Sequence, residues 1–130
     1  MPEQLTMFEY WEPSEDPRSK TPMEMVKEYQ KTSGQKPDPY LYVSLIGEEY
    51  SEWYYADQDP EEELKELADI VYVIYGYANA CGWDLDQALW RVHDNNMGRM
   101  YQPDGTIKRR ADGKIVKNPN YPKVSLEDLV

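Results

Sequence analysis

The chain has 130 residues and a formal net charge of −11, from 25 acidic and 14 basic side chains. Its length suits one domain with a modest core. Its charge argues against gripping nucleic acid or an anionic membrane, both of which need Lys and Arg facing phosphates. No apolar run approaches the roughly 20 residues that span a bilayer, and residues 1–15 lack the basic-then-apolar pattern of a signal peptide.

Residues 1–20 hold three prolines, several acids and the aromatic cluster Phe8-Glu-Tyr-Trp11, and are expected to form an arm without regular structure. Three helix starts then share one device, a capping side chain followed by proline: Thr21-Pro22, Asp38-Pro39 and Asp59-Pro60. Glu24 completes a capping box with Thr21. Asp84, with Gln87 three residues on, marks a fourth start. The expected helices cover about 22–32, 39–56, 60–81 and 85–100, with Gly34 and Gly82 as stops. The short connections favour antiparallel neighbours, so the fold class is an all-α bundle of four to five helices. Cys81, the one cysteine, excludes an internal disulfide, fits a reducing cytoplasm, and is read as a buried structural thiol.

Beyond Met100 the character changes. Asp104-Gly105 and Asp112-Gly113 are turn dipeptides flanking short extended stretches, and Pro119 and Pro122 forbid a further helix. A short β-hairpin with an extended tail is expected, closing in a helical turn at 125–129. The division is therefore an arm at 1–20, a helical catalytic domain at 21–101 and a basic tail at 102–130. The body before Arg99 carries −14 and the remainder +3. That split suits a metal-bridged polyphosphate, and equally a tail docked on the body by charge.

The second and third helices carry acids where a bundle helix carries oil. Glu49 and Glu52 lie on the line Tyr42, Leu45, Glu49, Glu52, Ala56, and Glu66 and Asp69 on the line Glu62, Glu66, Asp69, Val73, Gly76. Asp69 is the one charged residue from Leu67 to Trp83, so this face enters the core and Asp69 is expected to be buried or half-buried. Glu48 lies to the side. Gly47, in mid-helix at a cost of about 1 kcal/mol against Ala, suggests close approach by another element. Two like charges 4 Å apart repel by roughly 4 kcal/mol at an effective dielectric of 20. Protonation or a cation must relieve such a group. Oxygen-only ligands favour Mg²⁺, with Mn²⁺ as a substitute, and disfavour zinc. On the fourth helix, Asn96 and Arg99 end an otherwise apolar line, placed to face a ligand at the bundle mouth or simply to end a helix. His93 reads as a helix-end hydrogen-bonding residue.

With these residues in view, the chain resembles the MazG-like, all-α nucleotide pyrophosphohydrolase superfamily, which includes phosphoribosyl-ATP pyrophosphohydrolases. The carriers are the E-x-x-E pair Glu49/Glu52, the E-x-x-D pair Glu66/Asp69, Met25-Val-Lys-Glu-Tyr29 and Gly82-Trp-Asp84. His93-Asp-Asn-Asn-Met97 and Asp112-Gly-Lys-Ile-Val-Lys117 look like a compact, phage-type branch, with Arg99 where lysine is expected. The resemblance implies Mg²⁺-dependent cleavage of a nucleoside triphosphate to the monophosphate and pyrophosphate. Glu49, Glu52, Glu66 and Asp69 would be the metal ligands, and Glu48 a further ligand or the base that orients water. Asn96 would contact sugar or base, and Arg99, Lys114 and Lys117 the phosphates. It also implies a homodimer or homotetramer whose subunits complete the bundle, in keeping with the many aromatics of the second and third helices. The rival readings are an acidic helical interaction protein that mimics nucleic acid, and a nucleotide-binding module without turnover. The acidic mimic does not explain acids on apolar stripes together with a basic tail, while the binding module without turnover stays open.

Overall fold

A computed structural model describes residues 19–56 and 59–130. The arm expected over residues 1–20 falls, up to Arg18, outside the described residues. Among the described residues four helices form, α1 (Pro22–Ser33), α2 (Pro39–Tyr54), α3 (Pro60–Ala80) and α4 (Leu85–Arg99), followed by a 3₁₀ turn, Glu127–Leu129. The fold is all-α, as expected, although α2 stops at Tyr54, two residues short of the sequence reading.

Each start is held by the cap read from sequence. Thr21 Oγ1 accepts from Glu24 N at 3.3 Å while Glu24 Oε1 accepts from Thr21 N at 3.2 Å. Asp38, Asp59 and Asp84 accept from the backbone N–H groups of Tyr40, Glu61 and Gln87 at 3.0–3.1 Å. Gly34 closes α1 at φ 68°, a left-handed cap that favours glycine.

The long α3 is the hub: α2 packs along it most extensively, and α1 covers its C-terminal half. At their junction the Tyr42 ring lies flat on Gly76, where an added Cβ would stand 2.1 Å from a ring carbon. The Tyr42 hydroxyl accepts from Gln30 Nε2 at 2.8 Å and donates to Gln35 Oε1 at 2.9 Å. Gln30 Nε2 also reaches the Gly76 carbonyl at 3.2 Å. This satisfied knot fixes α1, α2 and α3 to one another. Nearby, Tyr75 is buried and hydrogen-bonded to Asp86 of α4, and burial pushes its hydroxyl up to about 12. Asp86 in turn accepts from Met23 N at the start of α1.

The core is small. Among the described residues the buried apolar side chains are Val26, Tyr42, Tyr75 and Ala78, while Cys81 is half-buried rather than buried. Oil instead faces outward. On α2, Tyr40, Val43, Tyr50 and Tyr54 are exposed, and on α3 so are Leu64, Leu67, Val71 and Ile74. Both sets follow a 3-4 spacing and lie opposite the acid lines of the same helices. Gly47 falls within the α2 set, and a Cβ there would meet nothing within 4 Å. Among the described residues no element approaches it this closely.

The tail folds as expected into two tight turns, with Gly105 at φ 82° and Gly113 at φ 88°. Its antiparallel pairing is limited to two isolated bridges, Tyr101 with Ile107 and Arg109 with Ile115. The remaining tail runs back along α4. Asn118 N donates to the Arg99 carbonyl at 2.7 Å, Tyr121 lies on Gly98, and Asn95 Nδ2 reaches the Pro122 carbonyl at 2.9 Å. Arg91 then closes a bidentate pair with Asp128 at 2.6 and 2.9 Å. The tail is tied down by its own acid and by backbone groups, not by its basic side chains.

Candidate metal centre

The acid lines of α2 and α3 face each other because the hairpin packs along the stripes that carry them. Glu49, Glu52 and Glu66 each place one carboxylate oxygen within 4.8 Å of the others. Their settings differ. Glu66 is 7% exposed, Glu49 is half-buried and Glu52 is exposed, so the group opens to solvent on the α2 side.

Two of its oxygens, Glu49 Oε2 and Glu66 Oε2, are buried without a hydrogen-bond partner. Burial raises the Glu49 carboxyl above its ordinary 4.5, reinforced by the charge and the hydrogen bond of Glu52. Burial likewise raises Glu66, opposed by Lys65 and reinforced by Glu52. Burial and mutual repulsion thus disfavour the charged forms of Glu49 and Glu66. A divalent cation would relieve both the repulsion and the orphaned oxygens, and the donor set is oxygen only, as hard ions require. The residues present therefore fit Mg²⁺ or Mn²⁺.

Asp69 lies beside this group, half-buried as read from its position on α3. Its charge is felt by Glu49 and Glu66, but its Oδ2 is held at 2.6 Å by Lys65 Nζ, which also stands 3.6 Å from Glu66 Oε1. Lys65 was not singled out in the sequence. Its signal was there, one position before Glu66 and four before Asp69, on the edge of the same face.

The other expected residues are not among the three carboxylates that converge here. Glu48 is exposed and outside the set of three. Asn96 is exposed near the end of α4. Arg99 is half-buried; its Nη1 donates to Asn95 Oδ1 at 3.3 Å, and its buried Nε has no partner. Lys114 and Lys117 are exposed on the tail. Among the described residues, neither makes an ion pair with the helical body. His93 is exposed on α4.

The sequence profile of the family described as phosphoribosyl-ATP pyrophosphohydrolase matches residues 15–96, more than half of the chain. No curated protein matches. Among solved structures the chain is similar to a cyanophage S-2L MazG-like pyrophosphohydrolase, determined bound to dGDP and three catalytic Mn²⁺ ions per active site. The TM-score is 0.52 at 19% identity, covering 77% of this chain and 91% of that one. At that identity the likeness bears on the fold.

Proposed function

Because the chain belongs to the phosphoribosyl-ATP pyrophosphohydrolase family, we propose that it cleaves a nucleoside or deoxynucleoside triphosphate to the monophosphate and pyrophosphate. The observation that carries this reading is the convergence of Glu49, Glu52 and Glu66, two of which, Glu49 and Glu66, each have one buried carboxylate oxygen without a hydrogen-bond partner. Glu49, Glu52, Glu66 and, beside them, Asp69 would hold Mg²⁺, or Mn²⁺ in its place. When bound, the cations would neutralise the phosphates and lower the pKa of the attacking water.

The protein's own part is to position. The α2–α3 hairpin brings carboxylates from two helices together, with buried Glu66 at the floor and exposed Glu52 at the solvent side. Glu48, exposed beside Glu49, is assigned to orienting the water that attacks phosphorus as pyrophosphate leaves. Arg99, Lys114 and Lys117 are assigned to the phosphates and Asn96 to sugar or base. The MazG-like relative was solved with dGDP, so dGTP heads the list of substrates to try.

The outward stripes of α2 and α3 support a homodimer or homotetramer. Eight large apolar side chains on one hairpin make a larger exposed patch than a monomer keeps without reason. A second hairpin laid against them would complete a four-helix bundle. No helix of the described residues is long and apolar enough to cross a membrane, and with the single thiol this supports a cytoplasmic setting.

The test is to incubate the purified protein with a panel of dNTPs and NTPs plus Mg²⁺ and follow pyrophosphate release. Turnover that depends on Mg²⁺ and is lost in Glu49→Ala and Asp69→Ala is expected. No turnover with any nucleotide, or turnover indifferent to both substitutions, would sink the reading.

A further inference from the structure

We infer that Lys65 is a built-in counterion of the carboxylate group, which a divalent cation must displace to load the site. This rests on the metal reading above and adds a residue that opposes loading instead of assisting it.

The direction in which Lys65 points is the first argument. Along a helix an acid stabilises a lysine best when it precedes it, which suits the helix dipole. Lys65 has such partners in Glu61 and Glu62, four and three residues before it. It pairs with neither. Its ammonium swings the other way, to Asp69 Oδ2 at 2.6 Å and Glu66 Oε1 at 3.6 Å. The pull that overrides the favoured sense comes from the crowded carboxylates, whose charge one ammonium partly offsets.

Competition is the second argument. Asp69 Oδ2 is an oxygen that a cation would need, and the ammonium holds it. Ammonium and divalent cation on one carboxylate would repel each other at contact distance. Nothing anchors Lys65 against leaving. Its side chain is 65% exposed, and rotation of its four-carbon stem takes it to solvent without moving α3. The metal-free protein is thereby protected from its own repulsion, at the cost of a higher cation concentration for filling.

The test compares Mn²⁺ binding by calorimetry in the wild type, Lys65→Met and Lys65→Arg, with Lys27→Met on exposed α1 as the control for losing a surface charge. Lys65→Met is expected to bind Mn²⁺ roughly three- to tenfold more tightly and to melt at lower temperature when metal-free. Lys65→Arg keeps the weaker, wild-type-like affinity, and Lys27→Met changes neither quantity. The affinity gap should widen at low ionic strength, where an exposed charge is least screened. A loss of packing would not tighten metal binding, so the two shifts together separate a counterion from a structural lysine. Unchanged or weaker Mn²⁺ affinity in Lys65→Met overturns the inference and leaves the metal reading standing. A wild type that binds no Mn²⁺ overturns both.

Discussion

The two faces of the α2–α3 hairpin reverse the usual arrangement of a helical pair. Inward, where oil is normal, stand Glu49, Glu52, Glu66 and Asp69; outward, where acids are normal, stand Tyr40, Val43, Tyr50, Tyr54, Leu64, Leu67, Val71 and Ile74. Either face alone would count against stability, the first through repulsion and the second through hydrated apolar surface. Each becomes sensible once it has a partner, a cation inside and protein outside. Under the proposed function, the contrast means that this hairpin is specified for two meetings and not for a self-sufficient core.

Breaking the inward face should have the largest effect. Glu66→Gln removes the most buried carboxylate of the group and should lower turnover at least about a hundredfold, equivalent to about 3 kcal/mol of lost transition-state stabilisation. The same change should leave the metal-free protein as stable or more so in a thermal melt, because it removes a crowded charge. Glu48→Gln, exposed and outside the set of three, removes a water-orienting group and not one of the converging carboxylates, and should lower turnover by more than about tenfold yet by less than Glu66→Gln in the same pyrophosphate-release assay. Equal losses at Glu48 and Glu66 would erase the distinction between inside and edge.

The outward face is broken by Leu67→Glu combined with Val71→Glu. Light scattering after size exclusion should give an assembly for the wild type and a single chain for the variant, with α-helical circular dichroism retained. A wild type that is itself monomeric would remove the partner this face is read as requiring. A smaller effect is expected where the α3 acid line gives way to packing. Gly76→Ala drives a methyl into the Tyr42 ring, and overpacking of this kind costs about 1–3 kcal/mol, measured by denaturant unfolding. It disturbs the Gln30–Tyr42–Gln35 knot and leaves the carboxylates in place.

What was legible in the sequence was local. A cap plus proline acts within one turn, so Thr21, Asp38 and Asp59 announce α1, α2 and α3 without knowledge of the fold. A 3.6-residue period suffices to put Glu66 and Asp69 on a line that runs into oil. The misreadings needed the third dimension. Gly47 suggests a close approach in the sequence, but it sits on the outward face, where the described residues supply no neighbour within 4 Å of an added Cβ. Lys65 was hidden because Glu61 and Glu62 offered an ordinary surface explanation for it. The basic tail suggested docking by charge, yet its contacts with α4 are the Tyr121 ring on Gly98, three backbone groups and the acid Asp128. Net charge does not say which atoms meet.

The hairpin and the tail should also answer pH in opposite senses. In the metal-free protein the folded Glu49 and Glu66 carboxyls titrate above their ordinary 4.5, so folding favours their protonated forms. Stability from this source is full below about that value and is lost as pH rises through the raised values. Asp128 is held by Arg91 down from 3.8 to about 2, so folding favours its charged form. That contribution is full above 3.8 and fades as pH falls towards 2. The pair is exposed and its effect is small and local. Hydrogen exchange followed across this range should show amides of α2 and α3 losing protection as pH rises, and those from Asn118 to Leu129 losing it only in acid. Saturating Mg²⁺ should abolish the first loss and leave the second untouched. If Mg²⁺ altered both alike, or neither, the carboxylate group would not be the inward partner's seat. The contrast between the two regions would then have to be drawn on packing alone.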